Sequence, residues 1–288
     1  MRNNLIRRII FWAALLVAVV LLGFSAWYHT SNYMAARNME KIQSEVSESK
    51  APEDGQAGSD ENRTYTLDEI EETEFTGETE GPAPVIPQDV LTEAEENPVD
   101  FDKLHSYNPE LYAWIRIPGT VIDYPVAQHA GSDQQFYLHR DLYGNPQFAG
   151  CIYSEEPSAK DFSDPVTVLY GHNMKNGSMF QNLHLFTDED FFEQHPYLYI
   201  YTPDETYVYR IYSVYNYDDR NIGTSFDFED AEDLEEYLGS TMNPRVMNAH
   251  VRKDITVTPV DHVLTLSTCI SGNTGSRLLL QAVLGYES

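Results

Sequence analysis

The stretch that decides the fold reads Val263-Leu264-Thr265-Leu266-Ser267-Thr268-Cys269-Ile270-Ser271-Gly272-Asn273-Thr274-Gly275-Ser276-Arg277-Leu278-Leu279-Leu280-Gln281-Ala282-Val283. Two apolar runs, Val263–Thr268 and Leu278–Leu284, flank a turn-rich loop, the pattern of two strands that return on each other. Outward from this pair, further strands are predicted at Ala113–Ile117, Ile122–Ala127, Gly150–Tyr153, Val166–Tyr170, Tyr197–Thr202, Tyr207–Tyr215 and Ile255–Val260. Turn signals such as Pro118-Gly119 and Gly144-Asn145-Pro146 punctuate them. Leu234, Tyr237 and Leu238 fall at helical spacing behind acids that suit a helix N-terminus, which predicts a helix over Asp230–Thr241. Met179–Phe186 and Asp188–Gln194 read as two shorter helices. Many short strands with few helices predict a mainly β fold, a closed or nearly closed barrel.

The N-terminal part has a different texture. Its first thirty residues carry Arg2, Arg7 and Arg8, no acid, and an apolar run from Ile9 to Trp27. About twenty helical residues span a ~30 Å hydrocarbon core, whereas a cleavable signal has only about 7–15 apolar residues. Residues 1–30 therefore read as a single-pass anchor with a cytoplasmic N-terminus and everything after Tyr28 outside. A signal peptide cut near Ala35-Ala36 is the alternative. From Ser31 to Asp100 nineteen acids face Arg37, Lys41, Lys50 and Arg63 alone. Residues 31–99 thus read as an acidic, largely disordered tether, in which Glu53–Pro87 is too poor in large apolar side chains to offset its ordering entropy. No D-x-D-x-D-G loop marks it as a calcium site. The folded, catalytic part is expected over residues 100–288.

Composition excludes several classes. The 288 residues carry 46 acids against 18 bases, a net charge of −28, which argues against nucleic acid because phosphate binding rests on Lys and Arg. A 42% hydrophobic content excludes wholesale disorder. Two cysteines exclude a disulfide-dense miniprotein.

Those cysteines sit differently. Cys151 lies in the apolar run Ala149-Gly150-Cys151-Ile152-Tyr153, where a small buried hydrophobe is expected. Cys269 ends a strand and precedes a loop, placing its sulfur at a barrel rim where a nucleophile meets substrate. If the flanking strands form a hairpin, Arg277 faces Cys269, and its permanent planar charge suits an anionic transition state. Among nine histidines, His172 is best placed as proton partner, because Gly171 lets the chain turn sharply after the strand Val166–Tyr170. A surface role for Arg277 and a Cys151–Cys269 disulfide are the competing readings. No H-E-x-x-H or C-x-x-C calls for a metal, and no G-x-S-x-G for a serine nucleophile.

Taken together, Thr265-Leu266-Ser267-Thr268-Cys269 followed by Arg277, and Tyr170-Gly171-His172-Asn173, resemble the motifs of sortases, the membrane-anchored cysteine transpeptidases of Gram-positive bacteria. Trp114-Ile115-Arg116-Ile117-Pro118-Gly119-Thr120, Ile122-Asp123-Tyr124-Pro125-Val126 and Gln135-Phe136-Tyr137-Leu138 agree. The helix ahead of the cysteine strand is similar to a class B feature. The resemblance implies an eight-stranded barrel with peripheral helices, Cys269 as nucleophile, His172 as general acid/base and Arg277 as oxyanion stabiliser. It also implies that Ser267 and Tyr170 line the substrate groove, and that no cofactor or metal is needed. The implied partners are secreted proteins with a C-terminal sorting signal, of N-P-x-T-N or x-P-x-T-G type, and the amine of a peptidoglycan precursor or another protein. Ile270 and Ser271 depart from relatives that carry an acid after the cysteine. A thiol peptidase using water alone, and a non-catalytic peptide-binding surface protein, are the other readings.

Overall fold

The computed structural model describes residues 2–48, 86–95 and 97–287. Nine strands are formed: β1 (Leu111–Arg116), β2 (Asp123–Gln128), β3 (Ile152–Ser154), β4 (Val166–Tyr170), β5 (Tyr197–Tyr201), β6 (Thr206–Asp218), β7 (His250–Val251), β8 (Val263–Ile270) and β9 (Asn273–Glu287). They pair in the order β5-β1-β2-β3-β4-β8-β9-β6-β7, and β6 pairs again with β5. Eight strands therefore close on themselves, and the two-residue β7 is an appendage on β6. Closure removes the open edges that an apolar sheet this size would expose.

Strand alternation sorts the side chains. Leu264, Leu266, Leu278, Leu280 and Ala282 fill the barrel interior with Val126, Leu169 and Ile200. Their neighbours Val263, Leu279 and Val283 point outward, where they are covered by Leu234, Tyr237 and Leu238 of a helix. That helix spans Ala231–Met242 and is capped by Asp230, whose carboxylate accepts from the Glu232 and Asp233 N–H groups. It lies between β6 and β8 in sequence, as expected. A second outer cluster packs Phe101 and Leu104 against Leu111 and Trp114. The two shorter helices form as Phe180–Thr187, wound as a 3₁₀ helix, and Glu189–Gln194, capped by Asp188.

Three expectations change. Ile255–Val260 alternates like a strand, with Ile255 and Val257 buried, but it joins no ladder. It covers the barrel without pairing to it, so the alternation serves burial alone. The presumed loop Ile270–Ser276 is largely strand. Ile270 pairs with Asn273 across a two-residue turn, and residues 274–276 bulge out before Cys269 meets Arg277. Gly272 at φ +77° supplies the positive φ such a turn requires. Finally, the ends of the expected tether are folded. A helix runs over Arg2–Glu48 and another over Gln88–Glu95. Ile42, Val46 and Ala94 are each buried in the outer cluster with Leu104 and Trp114, so the few apolar residues in this acidic region find a surface to cover. The middle of the expected tether, residues 49–85, lies outside the described residues.

Candidate active site

Register alone brings the chemistry together. β4 and β8 run parallel with Tyr170 beside Ser267, so both chains leave the same rim. His172, two residues past Tyr170, and Cys269, two residues past Ser267, therefore arrive there together. The Gly171 N–H continues the ladder by donating to the Ser267 carbonyl at 3.1 Å. β9 returns antiparallel, and Cys269 is paired with Arg277. Residues two apart share a face, so Ser267, Cys269, Arg277 and Tyr170 all project from the outer surface of the barrel. One cleft of about 150 Å³ is lined by Cys269, His172, Arg277, Ser267 and Tyr170. All five residues singled out from the sequence thus meet in one place.

The His172 ring is held by two neighbouring rings and at one nitrogen. It stacks on Phe148 at 5.5 Å and on His139 at 5.4 Å between ring centres. Nε2 lies 2.9 Å from the Leu138 carbonyl. A carbonyl only accepts, so this nitrogen carries the proton, and in the neutral ring Nδ1 keeps its lone pair. Burial lowers the pKa of His172 below its ordinary value, and the neighbouring His139 adds to this, opposed by the Leu138 hydrogen bond. Desolvation disfavours the imidazolium. Burial therefore favours the neutral ring.

Asn173 fixes the thiol strand from the other side. Its Nδ2 lies 2.9 Å from the Cys269 carbonyl and 3.1 Å from the Ser271 hydroxyl. His184 Nε2 approaches the same carbonyl at 3.1 Å. The hairpin that carries the sulfur is thereby tied to the segment that carries His172. Further along the cleft, Asn221 donates to Glu155 at 2.7 Å. Burial raises the Glu155 carboxyl above the usual range, an effect that Asn221 opposes. The Tyr170 hydroxyl donates to Asn221 at 3.4 Å.

Cys151 is free and buried, as is expected of a small hydrophobe, and burial pushes its thiol far up; Cys269 is also free and partly exposed. The cross-link between them is therefore not formed. Among the described residues no group of three or more His, Cys, Asp or Glu is placed to hold a metal ion. Sequence reasoning missed His139, Phe148, Asn173 and His184. Asn173 stood next to the chosen histidine and was legible. His139 comes from the 3₁₀ helix and Phe148 from the turn between β2 and β3, His184 from the helix after β4, and only packing brings them to the rim.

Comparison with known proteins agrees with this fold. The sortase-domain family model matches residues 115–284. Sortase B of Listeria monocytogenes is 32% identical over 166 residues, which cover 58% of this chain and 65% of that protein, just under two thirds of its length. Sortase B of Staphylococcus aureus is 28% identical over 169 residues, covering 59% of this chain and 67% of the relative. Among solved structures, Clostridium perfringens sortase B superposes with a TM-score of 0.58 at 30% identity, covering 65% of this chain and all 100% of the other. A Bacillus anthracis sortase B complex with AAEK1 reaches a TM-score of 0.63 at 27% identity over 89% of this chain and 98% of its own.

Proposed function

This chain belongs to the sortase family, in its class B branch, and from that premise we propose that it is a cysteine transpeptidase anchoring secreted proteins to a cell-wall amine. The observation that carries the reading is the meeting of Cys269, His172 and Arg277 at one rim, set by the β4–β8 and β8–β9 registers.

In the proposed reaction the Thr carbonyl of a C-terminal sorting signal enters the cleft beside Cys269. Nδ1 of the neutral His172 takes the thiol proton as Sγ attacks, and the Arg277 guanidinium holds the oxyanion. His172 then gives that proton to the departing amine as the C–N bond breaks, leaving a thioester. An amine of a peptidoglycan precursor or of another protein attacks the thioester carbonyl, its proton passes to His172, and Sγ leaves as the new amide forms. The thiol is restored. A neutral resting histidine suits this order better than a standing ion pair, because burial penalises the charged ring. Ser267 and Tyr170, outward on the same face, are assigned to the substrate groove.

The proposed organisation is a basic cytoplasmic end and single membrane crossing over residues 1–30, an acidic segment over 31–99 whose ends fold onto the barrel, and the extracellular catalytic domain over 100–288. The 22-residue apolar segment Ile10–Ser31, long enough to cross a bilayer, supports the anchor. Mass spectrometry with a library of sorting peptides tests the reaction. A thioester on Cys269 and an amine-dependent ligation product are expected, both lost in Cys269→Ala. Ligation by the purified Cys269→Ala protein would refute the mechanism, and product formed from water alone would identify a peptidase.

A further inference from the structure

The helix that carries the apolar segment does not stop where that segment ends. It runs unbroken from Arg2 to Glu48, and its last turns are fastened to the barrel. Ile42 and Val46 are each 1% exposed, in the cluster of Leu104 and Trp114. Gln43 donates to the Asp123 carbonyl. Glu45 accepts from the Tyr107 hydroxyl and pairs with Lys103 at 3.7 Å. Closer to the apolar segment, the Tyr28 ring meets the edge of Phe148 at 5.4 Å. Phe148 is the ring that stacks on His172 at 5.5 Å. A continuous helix held at both places gives the barrel a set height above the segment Ile10–Ser31.

That height is readable. Tyr28 lies three residues inside the end of the apolar segment, about 5 Å along a helix rising 1.5 Å per residue. Phe148 is thus within about 5 Å of the boundary between hydrocarbon and headgroups, where aromatic rings partition, and His172 is one ring further. Phe148 leaves 43% of its surface open, although it already contacts Tyr28 and His172. At the other end, β5 runs opposite to β4, because β1 is antiparallel to both β5 and β2, β2 is parallel to β3 and β3 is antiparallel to β4, so the turn between β5 and β6 lies at the pole opposite the cleft. Val46 lies eighteen helical residues beyond Tyr28, about 27 Å along the helix.

We propose that Phe148 and the His172 side of the catalytic cleft rest on the headgroup layer of the bilayer that the N-terminal helix crosses, the partner surface being the lipid itself. The inference rests on the membrane anchoring proposed above. It makes the chain an enzyme whose cleft is reached along the membrane surface, with the opposite pole of the barrel held away from it. The seat is specified by an interfacial tyrosine, a half-open phenylalanine and a clamped helix.

Depth-dependent quenching on the full chain tests this. Single cysteines at Leu21, Phe148 and Asp204, each in a Cys269→Ala background where Cys151 is buried, are labelled with an environment-sensitive fluorophore. The chains are reconstituted into phosphatidylcholine–phosphatidylglycerol vesicles carrying lipids spin-labelled at shallow or deep acyl positions. The Leu21 label, quenched by the deep probe, reports the anchoring. With anchoring established, the proposal expects the Phe148 label to be quenched by the shallow probe at about 10–15 Å from the bilayer centre, near the edge of a ~30 Å core. The Asp204 label is expected to stay unquenched. A Phe148 label as unquenched as Asp204, while Leu21 is quenched, overturns the proposal and leaves the anchor intact. An unquenched Leu21 refutes the anchoring instead. Should labelling at Phe148 disturb folding, neutron reflectometry of the unmodified chain in a supported bilayer of the same lipids decides the question. Protein density starting at the headgroups supports the seat, and a water layer between headgroups and barrel overturns it.

Discussion

Gly150→Ala is expected to damage both stability and catalysis, through one carbonyl. Gly150 has φ +61°, and a Cβ built there would sit 2.4 Å from the Leu138 carbonyl oxygen and 2.6 Å from that of Tyr137. Since Cβ contacts closer than 3.0 Å essentially do not occur, the Leu138 oxygen must move by at least about 0.6 Å. It is a backbone atom in a strapped segment, because Cys151 donates to the Tyr137 carbonyl at 2.9 Å. It is also the acceptor that fixes His172 at 2.9 Å. The left-handed conformation of a non-glycine residue costs about 1–3 kcal/mol. For a domain of this size each kcal/mol lowers Tm by about 2–4 °C, so a fall of roughly 2–12 °C is expected. Weakening the His172 hydrogen bond costs a further ~0.5–1.5 kcal/mol in the catalytic geometry, a loss of about two- to tenfold in kcat/KM. Scanning calorimetry and the pH profile of transpeptidation measure the two effects. A variant with native Tm and an unaltered rate would refute the claim that Gly150 exists to let the Leu138 carbonyl reach His172.

Three further outcomes are expected. Under the helix Ala231–Met242, the buried Tyr237 hydroxyl lies 2.7 Å from Thr265 Oγ1, which donates to Gln281 Oε1 at 2.7 Å, while Gln281 Nε2 donates to Tyr237 and Tyr215 at 3.2 and 3.1 Å. Tyr237→Phe orphans a buried amide proton and should cost about 1–3 kcal/mol in chemical denaturation, whereas an unchanged midpoint would mean that the network is not strongly coupled. His172 has a folded pKa below its unfolded value near ~6.5, so its contribution is complete above that value and is lost as pH falls toward the folded pKa. The native protein should therefore lose more stability between about pH 7 and pH 5 than His172→Gln does, and parallel melting curves would contradict the burial argument. Asn173→Ala removes donors 2.9 and 3.1 Å from the Cys269 carbonyl and the Ser271 hydroxyl. It should lower kcat by about three- to tenfold with little change in KM, and a kcat equal to native would show that the clamp does not position the sulfur.

The sequence by itself determined most of the strand content, the Asp230-capped helix and the position of Cys269, Arg277 and His172 at strand ends, while Ser267 and Tyr170 were indicated only by the family resemblance. Those signals are local: alternation, a cap, a glycine before a histidine, a cysteine and an arginine flanking a turn. It misjudged Ile255–Val260, because alternation reports burial on one side and says nothing about whether a neighbouring edge is free to pair. It took residues 31–48 for tether because they were read together with the acid-rich stretch that follows, and the value of Ile42 and Val46 depends on the surface they meet. Tertiary structure alone decided that β4 and β8 are parallel neighbours, which is what carries His172 to a thiol ninety-seven residues away. It alone placed Phe148 and His139 against that ring and the Leu138 carbonyl on its nitrogen. Such contacts join segments with no common periodicity. Their free energy exists only after the barrel closes, so no window of sequence could contain them.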